Sequence, residues 1–281
     1  MSYIDDQTGI INDAIEHYTK QNISLKFLEA SKYAILPEGR RYRSLVGLEI
    51  YKMLGGNESR FLKGVVGIEC IHHASLIFDD LPCMDGSALR KGKPPTYIEY
   101  GEAIAILSGL YLFESGRRLI YENTREHLDQ PEKVDEVESL IHQTIVGMLR
   151  GQEIDLQKDK SESDLRESIH QKNRIFHLAC ALPAYLLPQK EYINPLDEIG
   201  ANLAVAYQLF DDIRDVEGIP EITGKPVRMD AGRKTSIGIY GADEVKLQLA
   251  WRLQAIKENL RKIEPNSRLE SIIEHILTRP S

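Results

Sequence analysis

Five aspartates stand where they could hold a divalent cation and, through it, a phosphorylated ligand. Three crowd into Ile77-Phe78-Asp79-Asp80-Leu81-Pro82-Cys83-Met84-Asp85, at the end of an otherwise apolar run. Pro82 cannot continue a helix, because it lacks the N–H and its ring collides with the preceding turn. A bend there lets Asp85 turn back towards Asp79 instead of trailing along a helix surface. The second cluster is Gln208-Leu209-Phe210-Asp211-Asp212-Ile213-Arg214-Asp215. Asp211 and Asp215 are four apart, so one helical face carries both. Like charges so placed repel by ~0.2–0.5 kcal/mol on an open helix, a cost that a cation between them removes. The glycines and alternating ligands of a calcium loop are absent. Hard carboxylate oxygens of this kind suit magnesium, which keeps several waters and bridges to phosphate. One such cluster alone reads equally well as a solvated acidic helix end; two, each after an apolar helix, favour a metal.

Basic residues supply the other half of a polyphosphate site. Glu38-Gly39-Arg40-Arg41-Tyr42-Arg43 precedes a helical pattern, and Arg90-Lys91-Gly92-Lys93 follows the first acidic cluster. Lys225 and Gly232-Arg233-Lys234-Thr235 follow the second. Arginine grips phosphate oxygens as a fork and lysine acts as a point charge. Any one of these runs would pass for a solvated surface. Placed directly after magnesium-type carboxylates, they imply a highly anionic ligand held through metal.

The elements that must position these groups are helical. Apolar residues recur at helical spacing over Phe61 to Asp80, Ile104 to Tyr121, Val134 to Leu149, Leu165 to Leu187, Pro195 to Asp215 and Glu244 to Ile263. Turn clusters separate them at Gly55-Gly56-Asn57, Lys91 to Pro95, Pro188-Gln189-Lys190 and Gly218 to Gly224. No alternating strand pattern or fixed-period repeat recurs. The expectation is an all-α fold, a single domain over residues 1–281 with roughly ten or more helices bundled around a central cavity.

The formal net charge of −8 argues against a nucleic-acid surface. No stretch approaches the roughly 18 uncharged apolar residues of a membrane span, so no stable membrane insertion is expected. Met1 to Gly9 lacks the basic start and apolar run of a secretion signal. Cys70, Cys83 and Cys180 lie far apart without a CxxC pair, which suits a reducing cytoplasm and buried, unbridged thiols.

With these residues in view, the segment Gly67-Ile68-Glu69-Cys70-Ile71-His72-His73-Ala74-Ser75-Leu76-Ile77-Phe78-Asp79-Asp80-Leu81-Pro82-Cys83-Met84-Asp85, continued by Leu89-Arg90-Lys91-Gly92-Lys93-Pro94, strongly resembles the first aspartate-rich region of trans-isoprenyl diphosphate synthases, the polyprenyl synthetase family. Tyr207 to Asp215 resembles the second region. Gly101 to Leu107 and Gly151-Gln152-Glu153-Ile154-Asp155-Leu156 look like two further family segments, and the likeness runs in order from Gly39 to Thr235.

The resemblance implies a bundle of the isoprenoid synthase type, assembled as a homodimer. It also implies an enzyme that ionises an allylic diphosphate (dimethylallyl, geranyl or farnesyl) with Mg2+ and couples it head to tail to isopentenyl diphosphate. Carried over by position, Asp79, Asp85 and Asp211 would hold magnesium, with Asp80 and Asp215 supporting, and three ions would bind with the allylic diphosphate. Arg90, Lys172, Gln208, Lys225 and Lys234 would contact that substrate. Isopentenyl diphosphate would sit on Arg40, Arg43, His72 and Lys91. His72 is seven residues before Asp79, two turns away on the same face. Gln152 and Lys172 fall where the family steadies the carbocation, and the closing proton would leave with the diphosphate.

In bacterial-type relatives a bulky aromatic residue five before the first aspartate blocks the growing chain. Here Ala74, beside Ser75, implies a product beyond fifteen carbons, with geranylgeranyl diphosphate expected first; close packing of two helices is the competing reading of Ala74. The chain departs from the family pattern at Arg40, Ser44, Phe78, Tyr97, Leu110 and Asn173, and the stretch from Lys225 to Thr235 is about two residues short. These changes avoid the metal carboxylates and fall around the second substrate and the cation. Two rivals follow: a class I terpene cyclase that needs no isopentenyl diphosphate, and a non-catalytic partner subunit. Arg40, Arg43, His72 and Lys91 argue against the first, and two complete aspartate clusters against the second.

Overall fold

The structure, a computed structural model, describes residues 2–20, 23–36, 39–157, 159–217, 235–265 and 267–278. Among these, thirteen α-helices and two short 3-10 turns occur, with no strand. In chain order they are α1 (Tyr3–Tyr18), α2 (Lys26–Ile35), α3 (Tyr42–Met53), α4 (Leu62–Asp79), α5 (Thr96–Tyr100), α6 (Glu102–His127) and α7 (Pro131–Asp155). Then follow α8 (Glu162–Lys172), α9 (Ile175–Leu186), α10 (Ile193–Glu217), α11 (Ser236–Tyr240), α12 (Ala242–Ile263) and α13 (Arg268–Thr278). The all-α expectation holds. No helix of the described residues is long and apolar enough to cross a membrane. Internal contacts divide the chain into two units, Met1–Glu138 and Ser139–Ser281, with the boundary inside α7.

The first unit is built around α4. Val65, Val66, Ile68, Cys70, Ile71 and Ala74 are all fully buried, as a helix that is apolar on every side requires. It packs chiefly on α6 and also touches α1, α2 and α3. A Cβ on Gly67 would stand 2.7 Å from the Gly116 carbonyl, and one on Gly116 would meet the Gly67 carbonyl at the same 2.7 Å. Lower down, a Cβ on Gly109 would collide with the Phe78 ring at 2.6 Å. The two helices therefore run antiparallel with their backbones in near contact. Ala74, between Gly67 and Phe78 on that same face, belongs to this seam.

The second unit centres on α10, against which α8, α9, α11, α12 and α13 pack. Leu165, Ile169, Val205, Leu209 and Val245 form a buried cluster there, with Ile213, Ile237 and Tyr240 packed on it. The periodicity over Leu165 to Leu187 predicts one helix, and the structure breaks it into α8 and α9. Across the break, Arg174 N–H bonds Gln171 O at 3.1 Å and Phe176 N–H bonds Asn173 O at 3.0 Å, the tighter 3-10 spacing. Asn173 is a weak helix former, and its amide is drawn off to α10 by the bond described below.

Candidate active site

In the first unit, Pro82 does what its chemistry demands. After α4 the chain folds into a tight turn in which the Asp85 N–H bonds the Asp79 carbonyl at 2.9 Å and the Gly86 N–H reaches Leu81 O at 3.0 Å. Gly86 supplies the left-handed φ of +58° that this return needs. Asp79 and Asp85 are thereby brought together across six positions of sequence.

Asp80 lies differently. It is 3% exposed, and its carboxylate sits in the fork of Arg90, with Nε at 3.0 Å from Oδ1 and 3.1 Å from Oδ2, and Nη2 also on Oδ1. Burial pulls the Arg90 guanidinium down, but Asp80, Asp79 and Asp85 together outweigh it and raise its pKa. Three carboxylates and one arginine thus share one electrostatic neighbourhood.

The basic motif sorts its three arginines into separate roles. Arg40 is exposed, with Nη1 donating to the Tyr42 hydroxyl at 2.7 Å. Arg41 is buried in the left-handed region at φ +50°. It donates to Glu69 Oε2 at 3.0 Å, Asn12 Oδ1 at 2.9 Å and the Ile35 carbonyl at 2.7 Å. Arg43 donates to His72 Nε2 at 3.2 Å. Because a guanidinium only donates, Nε2 accepts and the His72 proton sits on Nδ1. Burial first, then Arg43, His73, Lys91 and Arg90, hold the His72 pKa well below its ordinary value, so the ring is neutral.

Lys91 closes this basic group. Its residue is exposed on the turn, but its ammonium reaches 3.4 Å from Nε2 of buried His73. Desolvation, reinforced by Arg41, Arg90 and Arg43 and opposed by Glu69, pushes its pKa down to about 8. Arg43, His72 and Lys91 are therefore gathered as expected, with Arg40 at the exposed edge.

In the second unit, Asp211 and Asp215 stand on one face near the end of α10, as their spacing predicts. The Asp211 side chain is 46% exposed, and Arg214 Nη1 approaches it at 3.9 Å. Asp212 points elsewhere and is buried; it accepts from Gln208 Nε2 at 2.9 Å and from the Ser236 N–H at 3.0 Å, so it anchors the start of α11. Burial pushes its carboxyl up, against the pull of these donors. Gln208 is tied at both ends, since its Oε1 accepts from Asn173 Nδ2 at 3.1 Å. Lys172 ends α8 and donates to Asp155 Oδ2 at 2.7 Å, while buried Lys160 holds Oδ1 of the same carboxylate at 2.7 Å. Burial would raise the Asp155 pKa, but Lys172 and Lys160 outweigh it and hold the carboxyl low. Lys225 and Lys234 lie outside the described residues.

Sequence reasoning passed over the supporting groups: Glu69 with Arg41, His73 under Lys91, Lys160 beside Asp155, and Asp212. The signal available was a charged or polar residue inside an apolar helical run, as at Glu69 and His73.

Among the described residues, no three acidic, histidine or cysteine side chains converge to hold a metal unaided. The donor set fits magnesium all the same, because that ion is commonly held by one or two carboxylates and completes its octahedron with water and substrate phosphate. Asp79 with Asp85, and Asp211 with Asp215, are pairs of that kind.

The family model described as polyprenyl synthetase matches residues 25–275. The chain is 31% identical over 274 residues to a farnesyl diphosphate synthase of Geobacillus stearothermophilus, covering 93% of this chain and 91% of that protein. It is 29% identical over 296 residues to the mitochondrial geranylgeranyl pyrophosphate synthase 10 of Arabidopsis thaliana, covering 99% of this chain and 85% of that one. Among solved structures, a geranyltransferase from Helicobacter pylori complexed with magnesium and isoprenyl diphosphate superimposes with a TM-score of 0.79 at 21% identity, over 99% and 97% of the two chains.

Proposed function

The chain belongs to the polyprenyl synthetase family, and from that premise we propose that it is a trans-prenyltransferase that condenses isopentenyl diphosphate with an allylic diphosphate. The observation that carries the reading is the turn after α4, which joins Asp79 to Asp85 beside Arg90, with the basic group of Arg43, His72 and Lys91 in the same unit. The proposal extends to one domain over residues 1–281, a homodimer and a cytoplasmic location. Exposed Ile106, Leu107 and Leu110 on α6, at 41%, 50% and 55%, support a subunit interface there.

Magnesium, proposed as three ions, would be held by Asp79, Asp85, Asp211 and Asp215, and supplies positive charge that stabilises the departing diphosphate. Asp80 acts through Arg90: with Nε and Nη2 engaged on Asp80, the guanidinium is held in one orientation and offers Nη1 to the allylic diphosphate. Lys172, steadied by Asp155, and Gln208, steadied by Asn173 and Asp212, are assigned to the same substrate, together with Lys225 and Lys234. Arg40, Arg43, His72 through its Nδ1–H, and Lys91 bind the diphosphate of isopentenyl diphosphate. Its double bond then attacks the allylic carbon, and the proton lost from the adduct goes to the departing diphosphate. The relatives' names include both farnesyl and geranylgeranyl products. We assign the longer one to this chain. Position 74 packs against α6, so room for the growing chain falls to the small, half-buried Ser75.

The test is product analysis. Purified protein with magnesium receives isopentenyl diphosphate plus dimethylallyl, geranyl, farnesyl or geranylgeranyl diphosphate, and each allylic substrate alone, with dephosphorylated extracts read by mass spectrometry. Elongated prenyl alcohols are expected, and Asp79→Ala or Asp211→Ala should abolish them without loss of fold. A cyclic product from an allylic substrate alone would overturn the reading, as would full activity in both variants.

A further inference from the structure

His73 has no role in the chemistry above, yet it is 3% exposed and its ring sits between cations. Nδ1 lies 2.9 Å from the Glu69 carbonyl, which can only accept, so Nδ1 carries the ring proton. Nε2 is then a bare lone pair, 3.4 Å from Lys91 Nζ and 3.4 Å from Arg41 Nη1, both obligate donors. Lys91 itself sits on an exposed turn at φ +52°. Its ammonium is nonetheless turned inward against Gly39, where a Cβ would stand 2.9 Å from Nζ. A lysine on an exposed loop loses rotamer freedom when held in one place, so its ordering needs an acceptor. His73 Nε2 is the acceptor the structure supplies.

The geometry points to His73 as a positioning residue whose Nε2 lone pair holds the Lys91 ammonium beside Gly39, so that isopentenyl diphosphate meets a preset cation. This inference rests on the functional reading above. The acceptor persists through the working pH range. Burial, then Lys91 and Arg41 against the opposing pull of Glu69, keep the His73 pKa down at about 3, with the neutral His72 ring 5.2 Å away. Arg41 is fixed independently by Glu69, Asn12 and the Ile35 carbonyl, so the mobile member of the arrangement is Lys91.

The experiment titrates isopentenyl diphosphate calorimetrically into the full-length protein without allylic substrate, and measures KM for both substrates. His73→Asn keeps a donor to the Glu69 carbonyl and deletes the acceptor at Nε2, while His73→Gln returns an acceptor there. His73→Asn is expected to weaken isopentenyl diphosphate binding about tenfold, as loss of a hydrogen bond to a charged group implies. His73→Gln should recover most of that loss, and KM for the allylic substrate should not move. In a Lys91→Met background His73→Asn should add nothing. Equal weakening with and without Lys91, equal changes for both substrates, or no change at all would overturn the inference. Wild-type protein that binds isopentenyl diphosphate but does not elongate would sink the functional reading and leave the positioning claim to the titration. Wild-type protein that does not bind it would sink both.

Discussion

Replacing Glu69 by leucine removes one charge from the most deeply buried ion pair among the described residues of the first unit. The side chains of Arg41 and Glu69 are 1% and 2% exposed, with Nη1 and Oε2 3.0 Å apart. Leucine fills much of the space but takes away the carboxylate that faces the guanidinium. Removing one member of a buried pair costs about 3–5 kcal/mol, because the remaining charge stays desolvated. Neighbouring bonds change little: Ser44 Oγ, which donates to Glu69 at 2.9 Å, still has the Val65 carbonyl at 3.0 Å. Arg41 likewise keeps Asn12 and the Ile35 carbonyl. The effect is thus one of charge, and for a chain of this size it corresponds to a Tm lower by roughly 5–9 °C. Scanning calorimetry with near-ultraviolet circular dichroism reads it out. Arg41→Met combined with Glu69→Leu removes both charges and should regain part of the loss, short of about 1–3 kcal/mol because the Ile35 carbonyl and Asn12 Oδ1 lose their donor. Burial pushes the Glu69 carboxyl up, but the Arg41 guanidinium and the Ser44 hydroxyl beside it outweigh this and hold its pKa below the ordinary value. Its contribution is therefore complete above the unfolded pKa of about 4.3 and is lost as pH falls through the folded value, so the leucine variant should lose less stability on acidification. A single variant melting within about 2 °C of wild type, or a double variant no better than the single, refutes the reasoning.

Three further outcomes are expected. Ser75→Phe should shorten the product, read by mass spectrometry, whereas Ala74→Phe overpacks the seam between α4 and α6 and should cost about 1–3 kcal/mol in a denaturant titration; the reverse pattern would place the chain-length control at 74. Gly39→Ala pushes a methyl against the Lys91 ammonium and should raise KM for isopentenyl diphosphate severalfold with the allylic KM unchanged. Because Lys91 titrates near 8 and an anion prefers its charged form, kcat/KM for isopentenyl diphosphate should be level below that pH and fall above it, by up to about tenfold per unit. Lys91→Arg, whose charge persists, should remove that alkaline limb; a limb unchanged by the substitution assigns it to another group.

Much of this protein could be read from local spacing. Apolar periodicity located the long helices, because burial of one stripe is a property of residues three and four apart. Pro82 announced the turn that returns Asp85 to Asp79, and the spacing of Asp211 and Asp215 put both on one face of α10. In each case the deciding interaction spans a few residues, so the sequence determines it directly.

What only the tertiary structure decided is which of several equivalent charges does which task. Nothing in Arg40-Arg41-Tyr42-Arg43 distinguishes the arginine that is buried from the one that faces solvent; Glu69, twenty-eight positions away, makes the choice. Asp80 and Asp79 are neighbours in sequence, yet Arg90 claims one carboxylate and not the other. The break at Asn173 and the tethering of Gln208 depend on each other across thirty-five residues. The smallness of Ala74 is explained by Gly67, Gly109 and Gly116 lying along the same seam. The physical reason is common to all four. Helix formation is settled by contacts within a turn, whereas the energy of a buried charge, amide or methyl is set by whatever the fold brings against it, and that depends on residues far along the chain.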